Sequence, residues 1–344
     1  MIASRFPCIR RPRFFIRITP ISSATTMLYL SDEEIAEILT MREAIDAVEK
    51  AFGEYARGSA MMPPRSTMML DKHNGSVSLM PSYLEETNAL ATKIISIYPD
   101  NPQRGLPTTM AWIVVNDPAT GMLDAMLDGT YLTAMRTGAV SGVAARYLAP
   151  KDGRVAAVIG CGVQGKTQAW AISEVLELEE MRVFDLSEEG MKGFAEAMGP
   201  KLGLDIVKAG SGAEAVKDAD VVLTATTSKN PVVRREWLGD RVHVGAIGAF
   251  YPDYRELDTG IVSEAKVVVD SVEAIMDEAG DILIPIAEGA ITADHIHAEL
   301  GEIVNGEKEG RTPGDGLTVF KSVGLAIQDS SVASLVLRKY RESQ

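Results

Sequence analysis

Three groups of residues have types and spacings that chemistry can use. The first is Gly160-Cys161-Gly162-Val163-Gln164-Gly165, a G-x-G-x-x-G that follows the apolar run Val155 to Ile159 and precedes Ala169, Ile172, Val175 and Leu176 at helical spacing. In such a turn Gly160 permits the tight bend, Gly162 lets a pyrophosphate approach the backbone, and Gly165 lets helix and strand pack closely. The helix start then offers free N–H groups and the positive end of its dipole to phosphates. A second strand, Met181 to Phe184, ends in Asp185, where a carboxylate meets the adenosine ribose hydroxyls. Asp185 repels a 2′-phosphate, and Leu186-Ser187-Glu188-Glu189 holds no arginine to accept one, so the expected cofactor is NAD. The plainer alternative is a strand–turn–helix that needs glycine for packing alone.

The second group is basic. Chemistry opposite a nicotinamide needs a carboxylate anchor and a proton shuttle, and Arg65, Lys93, Arg104 and Arg136 are the candidates. Arg65 follows Pro63-Pro64 and can pair bidentately with a carboxylate. Lys93 interrupts the apolar stretch Leu90 to Ile95, where alternation puts it on one face with Ala91 and Ile95. Burial there would bring its pKa down toward neutrality; on an edge strand it would be an ordinary exposed lysine. Arg136 lies at helical spacing with Thr133 and Thr137, placed for a phosphate or for a surface ion pair. The third group, His73, His243, His295 and His297, forms no metal-binding pattern, so no metal is expected.

The elements that must hold these residues fall into two units. Ser31-Asp32-Glu33-Glu34 is a capping box that opens a short helix, and a longer one runs from about Met41 to a stop at Gly58. Short strands follow near 65–70, 76–80, 90–98, 109–116 and 122–128, separated by turn signals, and then a helix from Thr130 to Leu148. Residues 27–150 therefore read as an α+β domain with an antiparallel sheet. One face of that sheet lacks helical cover and calls for a partner, a homodimer through this domain and the last helix. From 151 to 310 strands and helices alternate, with strands near 204–208, 220–226, 242–248 and 265–270, the pattern of a doubly wound parallel sheet, the Rossmann α/β class. Residues 311–344 read as a segment returning to the first domain. Residues 1–26 carry five arginines and no acid; they read as a disordered leader or an over-long start.

The 344 residues carry a net charge of −14, which disfavours nucleic acid and anionic membranes as partners. No apolar run is long enough to span a bilayer. Cys8 and Cys161 lie far apart, which points to a reducing compartment, the cytoplasm, without a disulfide framework.

Several segments together resemble the family of ornithine cyclodeaminase, mu-crystallin and archaeal-type alanine dehydrogenase: MPPRS at 62–66, TKIISIYPDNPQRGLPTTMA at 92–111, TGMLDAMLDGTYLTAMRTGAVSG at 120–142, GCGVQG, GAIGAFYPDYRELD at 245–258 and VFKSVGLAIQD at 319–329. The resemblance runs from about Met27 to the C-terminus. It implies a homodimer with the active site between the domains, and a small amino-acid or imino-acid substrate. Lys93 matches the acid/base lysine of the alanine dehydrogenase branch and Arg65 a basic substrate-binding position. Thr108 matches a substrate contact and Arg136 a cofactor contact. Val163 and Gln164 fall in the phosphate loop, Asp185 at the ribose and Ser322 near the nicotinamide.

Two departures matter. The cyclodeaminase branch carries an aspartate where Phe250 stands, leaving Asp253 as the nearest later catalytic carboxylate. The alanine dehydrogenase branch carries an arginine where Ser78 stands. The expected activity is an NAD(H)-dependent oxidoreductase of C–N bonds, such as alanine dehydrogenation or reduction of a cyclic ketimine like pyrroline-2-carboxylate. The alternatives are ornithine cyclodeamination and a crystallin-like binding role without catalysis.

Overall fold

A computed structural model describes residues 27–344. The expected leader lies outside the described residues. The first unit opens with β1 (Leu28–Leu30) and two capped helices, α1 (Asp32–Ile38) and α2 (Met41–Ala56). Ser31 and Thr40 each accept from a backbone N–H three residues on, and Glu34 and Glu43 return the bond. The apolar face of α2, from Ala44 and Ile45 through Val48 to Ala51 and Phe52, is fully buried. There follow β2 (Ala60–Met61), β3 (Ser66–Leu70), β4 (Gly75–Leu84), β5 (Ala89–Ile97), β6 (Thr109–Asn116), β7 (Leu123–Asp128) and the long helix α3 (Gly129–Leu148).

These strands form a sheet in the order β1-β7-β6-β5-β4-β2, with β3 on β4. The pairings are antiparallel as expected, except that β1 runs parallel to β7. Three residues carry no periodicity, so nothing in the sequence marks β1. Because β5 pairs with both β4 and β6, Lys93 stands on an interior strand and the edge-strand reading falls. Its row across the sheet is Met80, Lys93, Ile113 and Leu127, all buried. The adjacent row, on the other face, runs Leu79, Ile94, Trp112 and Asp128, and there Leu79 is 44% and Trp112 41% exposed.

The second unit comprises β8 (Val155–Ile159), α4 (Val163–Ser173), β9 (Glu180–Phe184), α5 (Glu188–Leu202), β10 (Ile206–Lys208), α6 (Gly212–Val216), β11 (Val221–Thr224), β12 (Val242–Ala246), α7 (Thr259–Glu264), β13 (Lys266–Val269), α8 (Val272–Glu278), α9 (Gly280–Ala287), β14 (Ile296–Glu299), α10 (Leu300–Val304) and β15 (Leu317–Lys321). All eight strands are parallel, in the order β10-β9-β8-β11-β12-β15-β13-β14. The order reverses between β8 and β11, which opens the crevice where such sheets bind ligands.

The boundary expected at residue 310 needs correction. β15 belongs to this sheet, inserted between β12 and β13, so the return to the first domain begins only after Lys321. Five residues do not reveal which sheet they will join; the register of Val244 with Val319 does. The returning helix α11 (Ala326–Glu342) then buries Ile327, Val332, Ala333 and Val336 in the core of the first domain.

Candidate active site

The glycine turn has the geometry its sequence implies. Gly160 adopts φ +102, and a Cβ there would meet the Ala225 carbonyl oxygen at 2.5 Å. A Cβ on Gly165 would overlap the Gly160 carbonyl oxygen, so helix and strand touch there. Around Gly162 the space a Cβ would take is open, and this N-cap residue gives α4 no side-chain cap. The free N–H groups of α4 thus face an empty approach beside exposed Val163 and half-buried Gln164. Asp185 lies across the turn, accepting from Cys161 N at 2.8 Å and Ser187 N at 2.8 Å. Burial and the Asp185 charge push the Cys161 thiol up to about 12, which makes it an inert wall. These residues fit a dinucleotide: α4 for the pyrophosphate, Asp185 for the ribose.

On the first domain Lys93 is 1% exposed. Its Nζ lies 2.6 Å from Asp329 Oδ2. The other oxygen of Asp329 takes Arg136 Nε at 3.0 Å, and Arg136 Nη1 donates to Gln328 Oε1 at 2.5 Å. Burial and the neighbouring Arg136 charge bring the Lys93 pKa down to about 7, against the opposing pull of Asp329. β5 supplies Lys93 to this buried group, α3 supplies Arg136, and α11 supplies both Gln328 and Asp329. Arg136 is therefore neither on the surface nor in a surface ion pair.

The connection from β15 to α11, residues 322–325, joins this group to the nucleotide domain. Buried Asp270, at the end of β13, accepts Ser322 Oγ at 2.6 Å and the N–H groups of Val323 and Gly324 at 2.9 Å each. Arg65 donates to the carbonyls of Val323 (3.2 Å) and Gly324 (2.9 Å), and its Nε pairs with Glu278 of α8 at 3.1 Å. Burial raises the pKa of Glu278 against the lowering effect of Arg65. A cavity of about 110 Å³ lies here, lined by Pro64, Arg65, Met80, Ser271, Glu278 and Gly324 among others.

Lys93, Arg65, Arg136 and Ser322 are thus linked through Asp329, Asp270 and the 322–325 connection. Thr108 is not part of this group. It is exposed, its backbone oxygen taking Tyr98 N at 2.8 Å. Lys93 pairs with Ile113 and Ile97 with Thr109, so Thr108 stands about 17 Å further along the strands. Asp253 is also exposed, on the loop after β12, where Phe250 stacks on Tyr251 at 4.7 Å. Ser78 is buried and shares a 2.8 Å hydrogen bond with Thr67. The residues missed by sequence reasoning are Asp329, Gln328, Asp270 and Glu278. A signal existed for the first two: Gln328 to Ser331 are four successive polar residues between apolar Ile327 and Val332, and all four are buried. Among the described residues no group of His, Cys, Asp and Glu could hold a metal, and no helix is long and apolar enough to cross a membrane.

A parallel doubly wound sheet whose first βα turn is an open glycine cradle closed by an acidic residue defines a dinucleotide-binding protein. Within that class the chain belongs to the ornithine cyclodeaminase/mu-crystallin family, whose model matches residues 25–344. It is 40% identical over 309 residues to an alanine dehydrogenase of Archaeoglobus fulgidus, covering 90% of this chain and 94% of that protein. The fold is similar to that of Thermococcus litoralis Delta(1)-pyrroline-2-carboxylate reductase, solved in complex with NADH and L-proline. The TM-score is 0.90 at 47% identity, with 92% of this chain and 98% of that one covered. It is also similar to an archaeal alanine dehydrogenase dimer with bound NAD, with a TM-score of 0.87 at 38% identity over 92% and 97% of the two chains.

Proposed function

We propose that this chain is an NAD(H)-dependent oxidoreductase of C–N bonds that interconverts a small L-amino acid with its imine or keto acid, or reduces a cyclic ketimine carboxylate. The observation that carries the reading is Lys93, a lysine buried on an interior strand and brought to about 7 beside Asp329 and Arg136. A group with that pKa gives and takes a proton at neutral pH. The family membership and the substrates named for the two solved relatives support the same reading.

When bound, NAD(H) supplies or accepts the hydride. The N–H groups of α4 would hold its phosphates and Asp185 its ribose, and Ser322, fixed by Asp270, would serve the nicotinamide end. Arg65 anchors the substrate carboxylate, and Asp329 aims Lys93. In reduction Lys93 gives its proton to the nitrogen of the imine; in oxidation it takes one from the amine. Phe250 brings no carboxylate to the loop after β12, which suits a small or cyclic substrate without a distal charge. Thr108 and Asp253 can act only if a loop or a second copy carries them in.

We also propose a homodimer formed through the outer sheet face, where Leu79 and Trp112 lie exposed beside Met68 of β3. The free, buried thiol of Cys161 supports a cytoplasmic location. A panel of imines with NADH and of amino acids with NAD, read by cofactor absorbance, tests the activity. Release of ammonia and proline from ornithine would favour a lyase, and binding without turnover a crystallin-like role.

A further inference from the structure

A second buried ionic group lies in the nucleotide domain, away from Lys93. Glu256, Asp281 and Lys321 are each fully buried. Glu256 Oε1 accepts Thr226 N at 2.6 Å and Thr226 Oγ1 at 2.8 Å. Its Oε2 accepts Thr224 Oγ1 at 2.8 Å and Gly248 N at 2.7 Å. The backbone N–H groups of Glu256 and Leu257 donate to Asp281 Oδ1 at 2.7 and 2.9 Å. Lys321 Nζ pairs with Asp281 Oδ2 at 2.8 Å and donates to the Ala249 carbonyl at 2.5 Å.

Thr224, Ala246 and Lys321 are the last residues of β11, β12 and β15. The group therefore ties together the carboxyl ends of three strands at the edge of the sheet where a dinucleotide lies. Its outermost partners adjoin site residues: Ala249 precedes Phe250, and Lys321 precedes Ser322. A Cβ on Gly248 would meet Glu256 Oε1 at 2.5 Å, so the chain passes directly over the carboxylate. Burying two carboxylates with one ammonium is costly unless every lone pair is used, and here nearly all are. A fold that needed only stability at this point would be better served by apolar side chains.

We infer that Glu256, Asp281 and Lys321 are positioning residues that hold the crevice floor in register for the nicotinamide half of the cofactor. This rests on the NAD(H) reading above. The adenosine half is held elsewhere, by α4 and Asp185. The two halves of the cofactor should therefore respond differently when the group is disturbed.

Glu256→Gln keeps the shape but turns an amide NH2 toward donors. The backbone N–H of Thr226 or Gly248 cannot rotate away, so one strand end must move. ADP-ribose, which lacks the nicotinamide, is the control ligand, bound calorimetrically; NADH is titrated by fluorescence. The expected result is NADH affinity weakened by about tenfold, the effect of one lost charge-assisted hydrogen bond, with ADP-ribose affinity within about twofold of the parent protein. Thr226→Val removes only the hydroxyl donor, and should shift the NADH to ADP-ribose ratio in the same direction with folding intact. Equal weakening of both ligands, or no change in either, would overturn the inference. A parent protein that binds neither ligand would instead overturn the NAD(H) reading itself.

Discussion

Replacing Lys93 separates catalysis from stability. The shift from 10.5 to about 7 means that the charged form is disfavoured in the fold by about 5 kcal/mol relative to water. The reduction direction requires protonated Lys93, so kcat/KM for an imine should fall as pH rises through about 7. The oxidation direction requires the free amine, so kcat/KM for an amino acid should rise through the same pH. Lys93→Arg keeps a cation beside Asp329 but cannot release its proton, and turnover should drop about 100-fold or more in both directions. The stability effect has a defined sign. Between about 7 and 10.5 the unfolded chain holds a proton that the folded chain has lost, so the parent protein gains stability with pH across that window. Lys93→Met escapes the burial penalty, so its stability relative to the parent should be greatest below about pH 7 and should decline toward pH 10.5. Thermal unfolding across pH, beside steady-state kinetics in both directions, measures both effects. A profile without an ionisation between about 6 and 8, or a Lys93→Met variant within tenfold of parent turnover, would refute the assignment.

Asp185→Ser should narrow the preference for NADH over NADPH, since it removes the carboxylate that repels a 2′-phosphate; kcat/KM with the two cofactors measures it. Light scattering at micromolar concentration should give a dimer, and charged substitution of Trp112 should dissociate it; a folded parent monomer would end that proposal. Ornithine with catalytic NAD should yield proline far more slowly than about 1 per second, because Phe250 cannot orient or deprotonate a δ-amine; proline formed at ordinary enzyme rates would overturn that reading of Phe250.

The nucleotide half was legible because its chemistry is local. The strand, the three glycines and the aspartate all fall between Val155 and Asp185, and the glycines' parts are fixed by backbone geometry. The strands of the first sheet were legible from turn residues and alternation. What alternation could not decide was whether Lys93 faced water, because that depends on β4 and β6 flanking β5 and on α11 covering its row. Arg136 and Asp329 meet across 193 positions of sequence, a contact that no local pattern encodes. β15 failed for the same reason in another form: its insertion between β12 and β13 is a property of the sheet.

The charge balance around Lys93 bears on the direction of the reaction. Among the described residues Asp329 alone faces both Lys93 and Arg136, so protonated Lys93 leaves one positive charge unbalanced in a buried place. Arg65 adds a further lowering influence on Lys93 while its own guanidinium is partly neutralised by Glu278. A substrate carboxylate entering this region supplies the missing negative charge. Its arrival stabilises the protonated lysine, by the same Coulombic logic that Arg136 uses to destabilise it. On this reading substrate binding should raise the Lys93 pKa, so that the loaded site should hold the proton that an imine nitrogen needs. Oxidation must begin by losing that proton, against the attraction of the bound carboxylate. At neutral pH the proton inventory of the site thus favours reduction, and oxidation gains only as alkaline conditions draw the proton away.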